Sequence, residues 1–468
     1  MSNISVGSAT GADEAVAALR ADGSSDAAIK AFVRLYGELA AGATGLVAES
    51  DIDPVVDLPY GVDVHADPES RRAALAATAV VRLNGGLGTS MGMERAKSLL
   101  AARSSATFLD VIAQQILALR RRWEVPLPLI LLDSFATQAD SLAALAAYVD
   151  LPVEGLPLDV LQSREPKLDA RDLRPVVWPR APHLQWCPPG HGDLYPSLVA
   201  SGVVDRLRER GMRYVFVANA DNLGATPDPH LAAWFAASGA GYAAEVTPRT
   251  AMDRKGGHLA RRRRDGQLIL RDTAQCPAAD MGAFTDARRH PFAHCNNVWI
   301  DLDVFAEVWD RHEGVLPLPL IRNTKTVDPR DPTSPSVVQI ESAVGAAVEV
   351  FPDATAIVVP RSRFVPVKSC ADLVVLRSDV YVDAEDASLQ VSEPLRGLPQ
   401  VDLDPRYYGR IDWLEARFPA GPPSLRQCDA LTVVGDWTFG AGVRCVGRVH
   451  LDDPGEARCI PDGTVLTG

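Results

Sequence analysis

Cysteine is scarce in this chain, seven residues in 468, and no two of them form a CxxC pair. An odd, scattered set argues against a disulfide framework or a structural zinc site and favours a reducing compartment. Aromatic residues are also few, at 6%. Long apolar runs are missing: the stretch from Ala73 to Val81 is too short to span a bilayer and contains Thr78. There is no basic surplus either. Lys plus Arg number 47 against 60 Asp plus Glu, a formal net charge of -13. That balance argues against broad nucleic-acid or membrane-surface binding. Met1 to Gly23 lacks the basic and apolar regions of a secretory signal. The expectation is a cytoplasmic protein with no nucleic-acid and no membrane partner.

What is present fits an ordinary soluble globular protein, 47% hydrophobic and 23% charged. At ~150 residues per domain the length allows about three domains. Apolar residues at helical spacing (Val16, Leu19, Ile29, Phe32, Leu35, Leu39) predict two short helices broken at Gly23-Ser24-Ser25, with Ser25 or Asp26 capping the second. After an Asp/Pro-rich connector from Asp51 to Pro68, a helix over Arg71–Ala77 leads into a buried strand, Ala79–Leu83. Further units alternate: helix Phe108–Arg122, strand Pro128–Asp133, helix Ser141–Tyr148, strand Arg213–Ala218 and, later, strand Ala356–Pro360. Such alternation predicts a parallel sheet covered on both faces, with ligands beyond the carboxyl ends of its strands. His258–Arg264 and Gln267–Thr273 around Asp265-Gly266 predict a hairpin. Its Arg261–Arg264 run reads as a solvated tip or, less favourably, a phosphate contact. Beyond Asp379 helical periodicity mostly disappears, and short apolar pairs alternate with Gly and Asp, the texture of a small all-β appendage or a coil of short strands.

The most informative stretch runs from Leu83 to Lys97, LNGGLGTSMGMERAK. It follows a strand and is rich in glycine, so its backbone N–H groups can approach a phosphate chain. It is not a Walker A loop, because Met93 follows Gly92. Nor is it a dinucleotide fingerprint, whose sixth position here would be Met91. Asp221 follows a predicted strand and is the best carboxylate for a hard cation, against the plainer reading of an Asx turn. A lone lysine is by default a solvated charge, but Lys368 follows an apolar run with two prolines that places its backbone rigidly. No HExxH or paired-histidine spacing points to a His-ligated metal.

The Leu83–Lys97 segment resembles the signature of the eukaryotic-type UTP–glucose-1-phosphate uridylyltransferases. Further matches follow in order: Asp133-Ser134-Phe135, Gln162-Ser163-Arg164, Pro188 to Asp193 (PPGHGD), Asn219 to Ala225 (NADNLGA), Glu245 to Pro248, Asn296 to Trp299, Glu341 to Ala346 and Pro360 to Lys368. Met93–Ala96, Thr324 and Ser342 depart from the usual pattern. The resemblance implies a Rossmann-like α/β nucleotidyltransferase core with a mixed, mainly parallel sheet and a C-terminal left-handed β-helix. The corresponding divisions are 1–70 (N-terminal helical segment), 71–377 (catalytic domain) and 378–468 (β-helix).

The implied reaction joins UTP and α-D-glucose 1-phosphate to give UDP-glucose and pyrophosphate, with Mg²⁺ and without a covalent enzyme intermediate. The implied UTP site comprises Leu83, Asn84, Gly85, Gly86, Lys97, Gln162, Gly190, Asp221 and Lys368. The sugar-phosphate site comprises Gly85, Gly86, His191, Asn219, Ala220, Asp221, Asn296 and Glu341. Lys368 and Lys97 are the implied catalytic cations and Asp221 the metal ligand. Two alternatives stay open: a pyrophosphorylase for another sugar, such as a UDP-sugar or UDP-N-acetylhexosamine enzyme, and a non-catalytic nucleotide-sugar sensor. A homo-oligomer also stays open.

Overall fold

Two helices, α1 (Ala9–Ala21) and α2 (Asp26–Ala40), begin the part of the chain that the computed structural model describes, residues 9–250, 253, 256–392, 395 and 397–468. The first eight residues of the Met1–Gly23 reading lie outside it. Ser25 takes the N-cap of α2, its hydroxyl accepting the Ala28 N–H at 3.2 Å. Ile29, Phe32, Leu35 and Leu39 bury one stripe of α2 against Leu168, Leu320, Val338 and Ile340. The segment up to residue 70 is not helical throughout. Ile52–Pro54 forms a strand that pairs antiparallel with Gly257–Arg262.

α3 (Pro68–Ala76), capped by Asp67, hands the chain to β1 (Thr78–Asn84). Then come α4 (Phe108–Trp123), started by a Thr107–Asp110 capping box, and β2 (Leu129–Asp133). The strands β3 (Asp159–Leu161), β4 (Tyr214–Asn219), β5 (Tyr242–Pro248), β6 (Phe292–Asp301) and β7 (Thr355–Val358) follow. All seven strands form one sheet in the order β7-β5-β6-β4-β1-β2-β3. β6 runs against both its neighbours, and the other four pairs are parallel. The fold is mixed α/β with a largely parallel central sheet, as expected. Alternation along β1 sends Val80 into one apolar layer and Ala79 and Val81 into the other.

The helix expected over Ser141–Tyr148 lies earlier, at Gln138–Leu145. The turn after β2 closes at once on Thr137, which donates to Asp133, while Tyr148 is drawn off to donate to Asp110 at 2.8 Å. The hairpin forms as expected, Gly257–Arg262 against Leu268–Asp272. Its arginines meet carboxylates: Arg262 pairs with Glu349 at 2.8 Å and Arg263 with Asp53 at 2.9 Å.

From Asp379 onward the strands Gln400–Leu403, Ser424–Val433, Arg444–Leu451 and Val465–Thr467 stack in parallel, as do Trp437–Phe439 and Arg458–Ile460. Leu425, Leu431, Phe439, Val443 and Ile460 fill the space between these faces. The region is not wholly β. Pro405–Tyr408 and Ile411–Arg417 are short helices, the first capped by Asp404, and they bury Tyr408 and Leu414.

Strand order places the site. From β1 the chain passes to β2 and β3 on one side, then returns with β4 on the other. Open α/β sheets bind ligands at such a reversal, beyond the carboxyl ends of the strands.

Candidate active site

Two loops leave adjacent strand ends at this reversal. Leu83 and Asn219 are register partners, and the Leu83 carbonyl accepts the Ala220 N–H at 3.1 Å. The glycine-rich loop after β1 folds back on itself, with the Lys97 N–H donating to the Gly86 carbonyl at 3.0 Å. Gly88 sits at φ 64°, and a β-carbon there would stand 3.1 Å from the Met93 sulfur and 3.4 Å from Lys97 Cγ. Only glycine occupies that place without strain.

The loop brings Lys97 to Asp221. Lys97 Nζ donates to Asp221 Oδ2 at 2.6 Å, and both side chains are largely sheltered. Asp221 Oδ1 is buried and has no hydrogen-bond partner among the described residues. The segment bearing Lys368 is stitched to the same turn. The Val367 N–H donates to the Asp221 carbonyl at 3.2 Å, and Asn222 Oδ1 accepts the Val365 N–H at 2.8 Å. Lys368 itself is exposed and has no carboxylate partner for Nζ among the described residues, its ammonium lying 5.9 Å from the Phe364 ring centroid. One lysine is thus paired with a carboxylate, and the other has no carboxylate partner among the described residues.

On the other side of the loop, Gln162 lies directly over Gly85. A β-carbon on Gly85 would fall 2.6 Å from Gln162 Oε1. The Gln162 amide has no hydrogen-bond partner among the described residues, although the residue is only 9% exposed. Asn84 is different. Its side-chain nitrogen donates to Asp133 Oδ1 at 2.6 Å and to Ser141 Oγ at 2.8 Å, which ties that nitrogen to the neighbouring strand end and helix. Burial raises the Asp133 carboxyl to about 6 despite the hydrogen bonds it accepts from Asn84 and Thr137.

The PPGHGD loop closes the third side. Gly190 has φ 79°, and a β-carbon there would strike the Ser342 carbonyl at 2.5 Å and Glu341 Cβ at 3.1 Å. That approach brings Glu341 alongside, with Lys325 at 3.8 Å. His191 Nδ1 accepts the Val344 N–H at 2.8 Å, so the neutral ring carries its proton on Nε2. Packed protein around the ring depresses its pKa, with Asp272 opposing, although the residue keeps an exposed face. Asp193 ties this loop to the Gln162 strand end, accepting the Ser163 N–H at 2.6 Å and the Ser197 hydroxyl at 2.8 Å. Asn296, at φ 57°, donates to Asn219 Oδ1 at 2.8 Å. The left-handed backbone of Asn296 lies beside a register break between β5 and β6.

Several residues that support the site were not legible in the sequence. Arg82 is fully buried in β1, and its Nη1 donates to the Asn219 and Asn222 carbonyls at 3.3 and 3.4 Å. Burial, then the nearby Arg363, pulls its pKa down to about 9, which leaves it charged at neutral pH. Arg363 and Glu245 form a buried bidentate pair at 2.6 and 2.8 Å. Arg410, far along the chain, packs against Gly92, where a β-carbon would stand 3.1 Å from its Cγ and Cζ. The only hint available was a charged residue inside an apolar strand pattern, as at Arg82.

A family model described as UTP–glucose-1-phosphate uridylyltransferase matches residues 32–445 of the chain. The uridylyltransferase of that name from Solanum tuberosum is 34% identical over 445 residues, covering 93% of this chain and 90% of its own length. The one from Saccharomyces cerevisiae is 36% identical over 395 residues, covering 84% and 77%. Among solved structures, a mutant UDP-glucose pyrophosphorylase from Leishmania major in complex with UDP-glucose superposes with a TM-score of 0.93. The two are 40% identical, with 98% of each chain covered. A UDP-glucose phosphorylase from Trypanosoma brucei gives 0.92 at 39% identity, with 98% of each chain covered.

Proposed function

Because the chain belongs to the UTP–glucose-1-phosphate uridylyltransferase family, we propose that it joins UTP and α-D-glucose 1-phosphate to give UDP-glucose and pyrophosphate. The observation that carries this reading is the convergence of the glycine-rich loop, Asp221 and the Lys368 segment at one pair of strand ends. Two anions must meet there, so the site has to neutralise both while holding them in line. A phosphate oxygen of glucose 1-phosphate attacks the α-phosphorus of UTP, and pyrophosphate leaves with the electron pair of the broken bond.

In this reading Leu83, Gly85, Gly86, Gly190 and the Asn84 backbone line the nucleotide. The Gln162 amide, unpartnered and beside Gly85, selects uracil through its paired donor and acceptor. Lys97 exchanges Asp221 for the triphosphate. Lys368, free of any carboxylate among the described residues, stabilises charge on the transferring phosphoryl group. His191 donates from Nε2 to the sugar phosphate, and Asn219, Ala220, Asn296 and Glu341 line the sugar.

Asp221 suits Mg²⁺. One of its oxygens is buried and has no partner among the described residues. No cluster of three or more His, Cys, Asp or Glu is present among the described residues. A single carboxylate fits an ion that draws its remaining ligands from water and phosphate oxygens. Bound there, Mg²⁺ would offset phosphate charge and orient the triphosphate.

We further propose the divisions 1–70, 71–377 and 378–468. The parallel stacking beyond Asp379 supports a left-handed β-helix in the last of them. The working enzyme is taken to be cytoplasmic. Among the described residues no helix is long and apolar enough to cross a membrane. The test is pyrophosphate release over a panel of UTP with glucose 1-phosphate, galactose 1-phosphate and N-acetylglucosamine 1-phosphate. Preference for glucose 1-phosphate is expected, and no release with any sugar phosphate refutes the reading.

A further inference from the structure

Arg82 is an unusual occupant of its position. It lies inside β1, the fifth strand of a seven-stranded sheet, with Ala218 and Leu131 as register partners on either side. It is fully buried. A buried cation normally meets a carboxylate, because desolvation is repaid only by a close opposite charge. Arg82 has none to itself. Glu245, the acid whose charge is felt at Arg82, already accepts two hydrogen bonds from Arg363, one from Trp299 and one from Asn297. With Arg363 and Glu245 the cluster carries a net single positive charge. Two Arg82 nitrogens, Nε and Nη2, have no partner at all among the described residues. The one nitrogen that is satisfied, Nη1, donates to the carbonyls of Asn219 and Asn222, the two ends of the turn that presents Asp221.

We infer that Arg82 is a positioning residue for the reaction, clamping the Asn219–Asn222 turn from beneath and holding an uncompensated positive charge under the phosphate site. This rests on the reading of Asp221 as the metal- and phosphate-side carboxylate. The geometry distinguishes the role from simple core packing. A core residue would be improved by an apolar side chain of similar volume, since exchanging a buried charge for one is commonly neutral or stabilising. A clamp would not. Without it the turn keeps its own Asn222 N–H to Asn219 carbonyl bond at 3.2 Å but loses the donor that bridges the Asn219 and Asn222 carbonyls, and the anions bound above it lose a fixed cation in a low-dielectric setting. The planar guanidinium spans both carbonyls from one nitrogen while keeping its charge. An ammonium on a shorter, flexible stem keeps the charge but not that reach.

The experiment compares Arg82→Met and Arg82→Lys with the unaltered chain. It measures melting temperature, kcat, KM for both substrates, and calorimetric affinity for UTP in EDTA, which reads the cation's effect without any metal. The Met variant is expected to stay folded, to lose roughly tenfold to a hundredfold in kcat, the scale of a small misplacement of reacting groups, and to bind UTP more weakly. The Lys variant is expected to fall between. A folded Met variant with unchanged kcat and UTP affinity overturns the inference. Should the Met variant not fold, the Lys variant decides: lowered kcat with intact folding supports the clamp, and unaltered values overturn it. Asp221→Asn is run alongside. Full activity there refutes the site reading itself, whereas its loss together with a silent Arg82→Met refutes only the role of Arg82.

Discussion

Lys97 and Asp221, 124 positions apart in the chain, meet as a sheltered ion pair at 2.6 Å, the ammonium on Oδ2 and the other carboxylate oxygen without a partner among the described residues. On the proposed reading, the pair holds each group where a triphosphate and its cation would take over.

Removing either partner should therefore have different consequences. Asp221→Asn keeps the shape but removes the charge, and turnover should collapse at all Mg²⁺ concentrations with the melting temperature little changed. Lys97→Ala should raise KM for UTP as well as lower kcat, because its charge meets the nucleotide before the transition state. Steady-state kinetics with a melting curve check both.

Among the described residues Lys368 has no carboxylate to leave. Its charge should act mainly on the transferring phosphoryl group, so Lys368→Ala should lower kcat by roughly a hundredfold or more, the scale of one lost electrostatic stabiliser. KM for glucose 1-phosphate should change less. Arg at this position should rescue only in part. A folded Ala variant with normal kcat would remove Lys368 from the mechanism.

Base choice should depend on Gly85 as much as on Gln162. A β-carbon at Gly85 would lie 2.6 Å from Gln162 Oε1 and force the amide aside. Gly85→Ala and Gln162→Ala should each narrow the preference for UTP over CTP, ATP and GTP, since an unmatched buried polar contact is what separates bases. Rates measured with the four nucleotides decide it. Equal rates in the unaltered enzyme would refute the assignment.

Acid stability should report the stacked histidines. His258 and His290 lie 3.8 Å apart between ring centroids. Burial, then His290, holds His258 down to about 3, with Arg249 and Arg271 adding to the effect. The unfolded chain binds a proton there near the ordinary value of about 6.5. Stability is thus complete above that pH and is lost as pH falls towards 3, about 2 kcal/mol by pH 5 for this group alone. Burial raises Asp133 and Asp193 to about 6, and they work in the opposite direction below that pH. His258→Phe should flatten the fall in melting temperature between pH 7 and 5. An unchanged slope would show that His258 does not titrate on unfolding.

The sequence by itself determined the periodic elements and the residues that carry chemistry. β1, β4, α2 and α4 lie within a few residues of their expected limits, because apolar spacing and caps act locally. The glycine-rich loop and Asp221 stood out because phosphate and cation recognition call for such residue types next to strand ends, whereas Gln162 and Lys368 were singled out chiefly by the family resemblance of the motifs around them. Pairing across distance was decided only in three dimensions. Nothing local to Lys97 indicates Asp221 as its partner, and nothing near Gly92 indicates Arg410. The reversal of β6 depends on which edge a returning strand finds free. Asn84 shows the same limit, since its strand end was legible but its side chain turns down to Asp133 and Ser141. Arg82 shows it most sharply. A cation in an apolar strand is visible in the sequence, but its lack of a carboxylate and its grip on two carbonyls exist only once β1 and β4 lie side by side, because burial and hydrogen-bond satisfaction are properties of neighbours brought together by packing.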